Sequence, residues 1–357
     1  MRSVINEFVE RNESVRNCVL SVMKGDGSYS WSGGAGIANQ ENQLPMTEET
    51  PVYIASITKL FTATVIMRLF EQNKLFLDDP MSKYLPEKLI RGIHVYHGTD
   101  YTCKITIKEL LSHTSGIADY YSDKPKGGKS LFEIFLDDPE RLWTPDETIE
   151  RAQSVLEPNF APGTDASYSD TNFQLLGKII EAITGRPLYI VYSEFLFLPL
   201  GLMHTWLTGN FMSQSTPESH PADVFYKNIN IAKIRSNGSY WADGGIVSTV
   251  TEMIIFLKAL NEGRIVSKAT LKLMKQWHKL HQIPLQYGFG MMYFKLPWYA
   301  DMMRVTSLYG HSGSIGSFLY YSEDLDMYIA GSINQVDLQS KSYSLMQNVI
   351  KVLHAKT

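Results

Sequence analysis

Cysteine is scarce in this sequence. The 357 residues include only two cysteines, Cys18 and Cys103. Two cysteines cannot build a disulfide framework, and nothing in their spacing indicates a single bridge, so two buried thiols are expected. An excess of charge of one sign is also absent, because 33 basic and 37 acidic residues give a formal net charge of −4. This balance gives no electrostatic reason to expect a nucleic-acid partner.

A secretory leader is not visible. The first residues, MRSVINEFVERNESVRN, carry charges throughout and contain no apolar signal-peptide core. We therefore expect a cytoplasmic protein, or a secreted or periplasmic one if a leader has been removed. The uncharged stretch 195–217 is long enough to cross a bilayer, but Pro199, Gly201 and His204 interrupt it. A buried loop is expected there, and no membrane span.

Several catalytic and ligand-binding motifs are missing. Gly-x-Ser-x-Gly does not occur, which argues against an α/β-hydrolase elbow, and no glycine-rich phosphate loop precedes a lysine. His94 and His97, and likewise His278 and His281, are spaced as metal ligands can be, but no third ligand cluster accompanies either pair. Neither a metal nor another cofactor is expected.

The composition is that of a globular protein, with 44% hydrophobic and 20% charged residues. Hydrophobic periodicity and turn residues predict helices and strands along the whole chain. The predicted helices cover residues 3–13, a segment from Ser56 to about Asn73, 107–111, 173–184, 251–261 and 343–354. The predicted strands cover residues 17–23 and 29–37, joined as a hairpin, and 317–321 and 327–332 near the C-terminus.

Strands at both ends and a helical middle predict an α+β fold with two lobes. Residues 1–55 and 240–357 would form an antiparallel sheet flanked by helices, and residues 56–239 would form an inserted, mostly helical lobe. A cleft between two such lobes is a favoured place for a site.

Ser56 and Lys59 are the first candidate catalytic pair. Residues three apart share a helix face, so the serine hydroxyl and the lysine amine can meet. A serine hydroxyl needs a neighbouring base to become a good nucleophile, and a desolvated lysine can serve. A second Ser-x-x-Lys, Ser21 to Lys24, lies in a predicted strand, where positions three apart point to opposite faces. Ser56 could also be a simple helix N-cap.

Two further segments carry chemistry-bearing residues. Tyr168 could be a packing residue, or a proton shuttle whose phenol a nearby ammonium holds partly ionised. Gly310 to Ser314 is a glycine-rich turn before a predicted strand, where backbone can approach a substrate closely. A backbone N–H there could join that of Ser56 in an oxyanion hole.

The order and spacing of these segments resemble the three motifs of the serine β-lactamase-like family. The motifs are Ser-x-x-Lys at 56–59, Tyr-Ser-Asp at 168–170 and His-Ser-Gly at 311–313. This family includes class C β-lactamases, D-alanyl-D-alanine carboxypeptidases and family VIII carboxylesterases. The flanking sequences Leu-Leu-Ser-His-Thr-Ser-Gly-Ile at 110–117 and Gly-Gly-Ile-Val-Ser-Thr at 244–249 strengthen the resemblance, which covers residues 5–350 of a single β-lactamase-like domain.

The resemblance implies roles for individual residues. Ser56 would be acylated, Lys59 and Tyr168 would move its proton, and the backbone N–H groups of Ser56 and Ser314 would polarise the carbonyl. Substrate-binding residues would be Asp170, His311, Ser312, Gly313 and Ser314. A small-molecule or peptide substrate is the expected partner, and the oligomeric state is left open.

Two residues depart from the best-known family pattern. Asp170 stands where Asn is frequent, and a carboxylate only accepts hydrogen bonds whereas an amide also donates. Asp170 would raise the pKa of Lys59, so Tyr168 would carry more of the base function, or Asp170 would bind a substrate amine. Asp170→Asn is then expected to lower the acid-limb pKa of activity. His311 stands where Lys is frequent, and is expected to titrate near neutral pH and to attract substrate carboxylates as the pH falls.

These residues predict a serine hydrolase that cleaves amide or lactam bonds, as a D-alanyl-D-alanine carboxypeptidase or β-lactamase does. The alternatives are a carboxylesterase on short acyl esters, a penicillin-binding sensor with slow turnover, and a scaffold without activity. The intact Ser56, Lys59 and Tyr168 argue against the last.

Overall fold

A nine-stranded antiparallel sheet forms the centre of the computed structural model, which describes residues 1–208, 220–280, 285–295 and 307–354. The strand order is β11-β12-β13-β14-β15-β16-β1-β2-β3. The strands are β1 Asn17–Lys24, β2 Ser30–Asn39, β3 Leu44–Pro45, β4 Val52–Tyr53, β5 Val95–Tyr96, β6 Thr99–Asp100, β7 Trp206–Leu207, β8 Phe225–Tyr226, β9 Ile229–Asn230, β10 Ile246–Ser248, β11 His278–Lys279, β12 Leu285–Tyr287, β13 Met292–Lys295, β14 Ser307–Ser312, β15 Phe318–Ser322 and β16 Met327–Ser332.

Helices cover both faces of this sheet and make up the middle of the chain. They are α1 Arg2–Glu10, α2 Thr58–Glu71, α3 Glu87–Ile90, α4 Ile107–Leu111, α5 Leu131–Asp137, α6 Pro145–Val155, α7 Asp170–Thr184, α8 Leu188–Tyr192, α9 Leu198–Leu200, α10 Val250–Glu262, α11 Lys268–Met274 and α12 Gln339–His354. A 3₁₀ turn, Ala55–Ile57, leads into α2, and a π-helical turn, Ser193–Phe197, joins α8 to α9.

The alternation of side chains along the strands separates two hydrophobic cores. On β1, Leu20 and Val22 face the core shared with α1 and α12, whereas Val19 faces the core shared with α2 and α10. The apolar residues of α12 recur at helical spacing and fill the first core, together with Ile5 and Phe8 of α1. The two ends of the chain are therefore packed together against one face of the sheet.

The second core binds the helical segments to the other face. Phe61 of α2 stacks on Phe256 of α10 with ring centroids 3.7 Å apart. A small three-stranded sheet, in the order β4-β10-β7, joins residues just before the 3₁₀ turn to residues 206–207 and 246–248. It places Val52 and Tyr53 of β4 against β10, directly upstream of Ser56.

The predicted α+β fold is confirmed, and most predicted elements lie within three or four residues of the observed ones. One prediction was wrong. The segment from residue 195 was expected to be a loop, but the chain follows a helical path as far as Leu200. The helix ends there because Gly201 adopts a left-handed conformation. Residues 209–217 of that stretch lie outside the described residues. None of the described helices is long and apolar enough to cross a membrane.

The expectation of two buried thiols is also corrected. Cys18 and Cys103 are both free, but only Cys18, on β1, is buried, whereas Cys103 is exposed in a 3₁₀ turn before α4. Burial raises the pKa of the Cys18 thiol to about 12, so this group behaves as an inert hydrophobic side chain.

Candidate active site

The turn that carries Ser56 is held between two strands. Ala55 has a φ of 48°, a left-handed conformation that is unusual for a residue with a side chain. The Ile54 N–H donates to the Ile246 carbonyl at 3.0 Å, and the Ile54 carbonyl accepts from the Ser317 hydroxyl at 2.8 Å. These contacts from β10 and from the turn after β14 stabilise the Ala55 conformation. Ser56 therefore has a defined position at the start of α2.

Lys59 lies one turn further along and is completely buried. Its ammonium group is 3.1 Å from Ser56 Oγ, 2.7 Å from the carbonyl oxygen of Asp243 and 2.5 Å from Asp170 Oδ1. Burial lowers the pKa of Lys59, but the negative charges of Asp170 and Asp243 outweigh burial and raise it above its usual value. In the free enzyme Lys59 is thus a charged ammonium, as predicted from the presence of Asp170.

Tyr168 lies over Lys59, with the ammonium nitrogen 5.0 Å from the ring centroid. Burial and the charge of Asp170 raise the pKa of its phenol well above the usual value, against a smaller opposing effect of the Ser56 hydroxyl. The expectation of a partly ionised phenol is therefore corrected, because Tyr168 is protonated. Its oxygen is near Ser56 but makes no well-aligned hydrogen bond with the described residues.

His113 sets the position of the Tyr168 segment. The Ser169 N–H donates to His113 Nδ1 at 3.1 Å, and the Ser167 N–H donates to the His113 carbonyl at 3.0 Å. The imidazole also packs on the Tyr168 ring, with centroids 4.3 Å apart. Burial and the charge of Lys59 lower the pKa of His113 well below its usual value, so its ring is neutral.

Three carboxylates lie near one another in this site. Asp170 pairs with it directly, and its backbone N–H donates to Asp119 Oδ1 at 2.9 Å. Burial and the nearby charge of Asp170 raise the pKa of Asp119 to about 7. Burial and the same charge raise the pKa of Asp243 to about 6, against the opposing effect of Lys59. The site thus combines one buried ammonium with three acidic side chains.

Asp243 is a site residue that sequence reasoning missed. Its carboxylate accepts from the Tyr120 hydroxyl at 2.6 Å, from Gln174 Nε2 at 3.1 Å and from the Trp241 N–H at 3.1 Å. These bonds hold the backbone carbonyl that receives a hydrogen bond from Lys59. Asp243 directly precedes the Gly-Gly segment at 244–245. Its contact with Lys59 is made by a backbone carbonyl, which every residue has, so no sequence motif identifies it.

A cavity of about 360 Å³ opens beside these groups. Its acidic wall contains Ser56, Asp119, Tyr168, Asp170 and Asp243, and its apolar wall contains Tyr53, Tyr121, Ile231, Tyr240, Met292, Ile315 and Val336. Neither lysine nor arginine is among the described residues that line it. The cavity therefore combines a negatively charged end with a hydrophobic and aromatic end.

The His-Ser-Gly-Ser segment is divided between cavity and interior. Ser312 and Ser314 line the cavity, whereas His311 and Gly313 do not. His311 is buried; its Nδ1–H donates to the Ser312 carbonyl at 2.7 Å, and Nε2 accepts from the Tyr287 hydroxyl at 2.9 Å. Burial and the charge of Lys59 lower the pKa of His311 to about 3. The expectation that it titrates near neutral pH is corrected, because a charged imidazole here would be desolvated and repelled by Lys59.

Two backbone N–H groups can form the expected oxyanion hole. Ser56 lies in the first turn before α2, where N–H groups lack intrahelical partners and the helix dipole favours an anion. Ser314 follows β14 and lines the same cavity. Gly313 brings the two segments together, since a Cβ there would lie 2.6 Å from the Ile54 carbonyl oxygen and 2.9 Å from Ala55 Cβ.

A metal-binding arrangement is not present in the part of the chain that the structure describes, where no three His, Cys, Asp or Glu side chains are grouped to hold an ion. His94 is buried and its Nε2 contacts the Phe160 carbonyl at 2.9 Å, so this ring has a structural partner. His281 lies outside the described residues.

The site combines a serine at a helix start, a lysine one turn later and a tyrosine packed over that lysine. It lies on an antiparallel sheet covered by helices. This site and this fold define a serine hydrolase of the β-lactamase and transpeptidase class. The sequence profile of the Beta-lactamase family matches residues 4–346. The chain belongs to this family, which confirms the resemblance in its three motifs.

Known relatives include enzymes named for action on D-amino acids. The chain is 26% identical over 247 residues to a D-aminopeptidase from Brucella anthropi, covering 69% of this chain but only 42% of that longer relative. A D-stereospecific amidohydrolase from a Streptomyces species has a TM-score of 0.75 and 28% identity, over 94% of this chain and 95% of the other. The D-amino acid amidase of Ochrobactrum anthropi SV3 has a TM-score of 0.80 over 99% and 97% of the two chains, and at 22% identity it shows the fold alone.

Proposed function

We propose that this protein hydrolyses amide bonds of substrates with a free amine on the acyl residue, such as D-amino acid amides or short D-peptides. Ser56 Oγ would attack the amide carbonyl, an amine would leave, and water would release the acid from the acyl-enzyme. The observation that carries this proposal is the acidic wall of the cavity, which holds Asp119, Asp170 and Asp243 and includes no cation among its described residues.

Charge balance favours an ammonium group over a carboxylate in this cavity. Lys59 is buried and already paired with Asp170, and His311 is neutral and lies outside the cavity lining. A penicillin or a C-terminal D-alanine would bring a carboxylate next to three acidic side chains, where like charges repel. A protonated amine would instead compensate negative charge that the free site leaves unbalanced. The carboxypeptidase and β-lactamase activities are therefore less well supported than an aminopeptidase or amidase activity.

The apolar wall supports a hydrophobic side chain on the same substrate residue. Ile231, Ile315 and Val336 lie in one small hydrophobic cluster with Tyr53 and Ala55, next to the nucleophile. Burying an apolar side chain there gains about 25 cal/mol for each Å² removed from water. The names of the relatives supply the D configuration in this proposal, since two of them are described as acting on D-stereoisomers.

Paired chromogenic substrates test the proposal. We expect D-phenylalanine p-nitroanilide to have a kcat/KM at least about tenfold higher than its N-acetyl form, because a compensated charge pair is worth about 1.4 kcal/mol or more. The L-isomer, a p-nitrophenyl ester, a chromogenic β-lactam and a D-alanyl-D-alanine peptide complete the panel. Intact-mass analysis should place an acyl adduct on Ser56, and Ser56→Ala should abolish it.

Other outcomes would favour other activities. Equal turnover of the free and N-acetylated anilides would remove the amine requirement. Fast hydrolysis of the p-nitrophenyl ester with none of either anilide would favour a carboxylesterase. A stable β-lactam adduct without turnover would favour a slow-turnover sensor.

A further inference from the structure

Three oxygen atoms lie close to the Lys59 ammonium group. An ammonium group has three N–H donors and no acceptor. Lys59 has three acceptors within 3.1 Å, namely Ser56 Oγ, the Asp243 carbonyl and Asp170 Oδ1. Two of them, Ser56 Oγ and the Asp243 carbonyl, accept hydrogen bonds from the ammonium group, whereas Asp170 Oδ1 contacts it as an ion pair without an aligned hydrogen bond. The protonated nitrogen has no lone pair for another proton. In this arrangement Lys59 donates to Ser56 and cannot serve as the base that activates it.

A proton must leave Lys59 before it can accept one, and only one of its three partners can take that proton. The Asp243 carbonyl is a neutral amide oxygen and far too weak a base. Ser56 is the group that has to be deprotonated. Asp170 is a carboxylate in direct contact with the ammonium, at 2.5 Å. An asparagine at this position could accept a hydrogen bond but could not accept a proton.

We propose that Asp170 is a catalytic base that acts through Lys59, so that Ser56, Lys59 and Asp170 form a proton relay. As Ser56 Oγ bonds to the substrate carbonyl carbon, its proton moves to Lys59 Nζ and a Lys59 proton moves to Asp170 Oδ1. Lys59 ends as an ammonium, Asp170 as a carboxylic acid, and the negative charge resides on the carbonyl oxygen. When the C–N bond breaks, the proton on Asp170 returns through Lys59 to the leaving amine.

The surroundings of Asp170 are consistent with this step. Its side chain is 12% exposed and Lys59 is fully buried, so water competes little for either group. Removing two charges from water carries a desolvation penalty that a neutral pair avoids, which makes proton transfer to the neutral pair less costly. Tyr168 cannot be the first base, since its phenol is protonated. It remains suited to pass a proton toward the leaving group.

The titratable and charged groups that face Asp170 come from several elements. They are Lys59 on α2, Asp119, Tyr120 and Tyr121 in the loop after α4, Tyr168 in its own segment, Tyr240 and Asp243 before β10, and Tyr287 on β12. The tyrosines have raised pKa values and stay neutral, so Lys59 is the cation in contact with Asp170.

The relay predicts the pH dependence of acylation. In the wild type the proposed base is the Asp170 carboxylate, so acylation proceeds while Lys59 remains a charged ammonium. In Asp170→Asn the active form requires a neutral Lys59. The acid limb should then move upward by at least about two pH units, toward the titration range of lysine. This direction is opposite to that expected if Lys59 were a free base whose pKa the carboxylate merely raises.

Burst kinetics with p-nitrophenyl acetate test the relay on its own, although the relay rests on the proposed acyl-enzyme at Ser56. This neutral ester lacks an amine, so amine binding does not enter the pH profile. For Asp170→Asn we expect acylation at pH 7 to fall by about 10²- to 10⁴-fold. Asp170→Glu retains a carboxylate and should leave the acid limb within about one pH unit of the wild-type position. Asp78→Asn is the control, because it removes an exposed carboxylate outside the cavity, and should move the limb by less than about one unit.

Each result bears on a different claim. An unchanged or lowered acid limb in Asp170→Asn would overturn the relay. If that variant does not fold, the wild-type profile decides, because an acid limb in the titration range of lysine would show that acylation requires a neutral Lys59 and would also overturn the relay. Acylation of Ser56 by the ester without hydrolysis of any D-amino acid anilide would overturn the proposed substrate and leave the relay standing. Absence of any adduct on Ser56 would overturn both.

Discussion

The charge state of each titratable residue in this site depends on its immediate surroundings. His311 and Asp119 are both buried polar side chains, yet His311 has a pKa of about 3 and Asp119 a pKa of about 7. Burial opposes the charged form of each, which lowers the pKa of a histidine and raises that of a carboxyl. His311 is therefore uncharged at neutral pH, whereas Asp119 changes charge there.

The titration of Asp119 leads to a pH prediction for amine substrates. Below pH 7 Asp119 is mostly protonated, and above pH 7 it is ionised and attracts an ammonium group. An α-amine itself loses its charge at about pH 8. We expect the KM of D-phenylalanine p-nitroanilide to decrease from pH 6 to 7.5 and to increase again above pH 8.

The measurement is a pair of steady-state pH profiles, one for the wild type and one for Asp119→Asn. The variant should lose the decrease in KM below pH 7.5, and its KM at pH 7.5 should be raised severalfold. The N-acetyl anilide serves as the control substrate, and its KM should not follow this pattern. An identical pattern for both substrates would remove Asp119 from amine binding.

At the scale of elements, the catalytic geometry depends on how β14 and the turn after it meet the start of α2. Gly313 has no room for a side chain, because a Cβ would lie 2.2 Å from Ser317 Oγ and 2.6 Å from the Ile54 carbonyl oxygen. The Ser317 hydroxyl is also the group that holds Ile54 in place. A clash here therefore shifts the turn that carries Ser56 relative to Ser314.

Gly313→Ala should lower both stability and the rate of acylation. Overpacking of this kind costs about 1–3 kcal/mol, and displacement of the oxyanion-hole donors should reduce kcat by about 10²-fold or more. Urea denaturation and burst kinetics are the measurements. Gly244→Ala is a matched control for stability, because the nearest atom to its added Cβ is 3.6 Å away. Equal stability losses in the two variants would contradict the contact as the cause.

The elements themselves follow largely from local sequence. The hairpin of β1 and β2, the helix after Ser56 and the pair of strands β15 and β16 were predicted close to their observed bounds, since their periodicity is undisturbed. The start of α7 was predicted at Phe173 but lies at Asp170, inside the Tyr-Ser-Asp motif. The residues just before Phe173 are compatible both with a helix start and with a loop, so local sequence preference does not fix the residue at which the helix begins.

At the scale of the whole molecule, the two ends of the chain are joined on one face of the sheet. Leu345 of α12 is fully buried in the core that also contains Ile5 and Phe8 of α1. Leu345→Ala should lower the free energy of unfolding by about 2–5 kcal/mol, because it opens a cavity in this core. Urea denaturation checks this value. Leu44→Ala, at a residue that is 54% exposed, should change stability by less than about 0.5 kcal/mol.

The amino-acid sequence by itself determined the class of fold, the order of the main elements and the motif residues Ser56, Lys59 and Tyr168. Those features depend on local periodicity, turn chemistry and the spacing of reactive side chains, which are read along the chain. Tertiary structure alone decided that Asp119 and Asp243 lie near Asp170, which pairs with Lys59, and that His311 faces the interior. Charge state and burial depend on groups far apart in sequence, because desolvation and Coulomb interactions act through space and not along the chain.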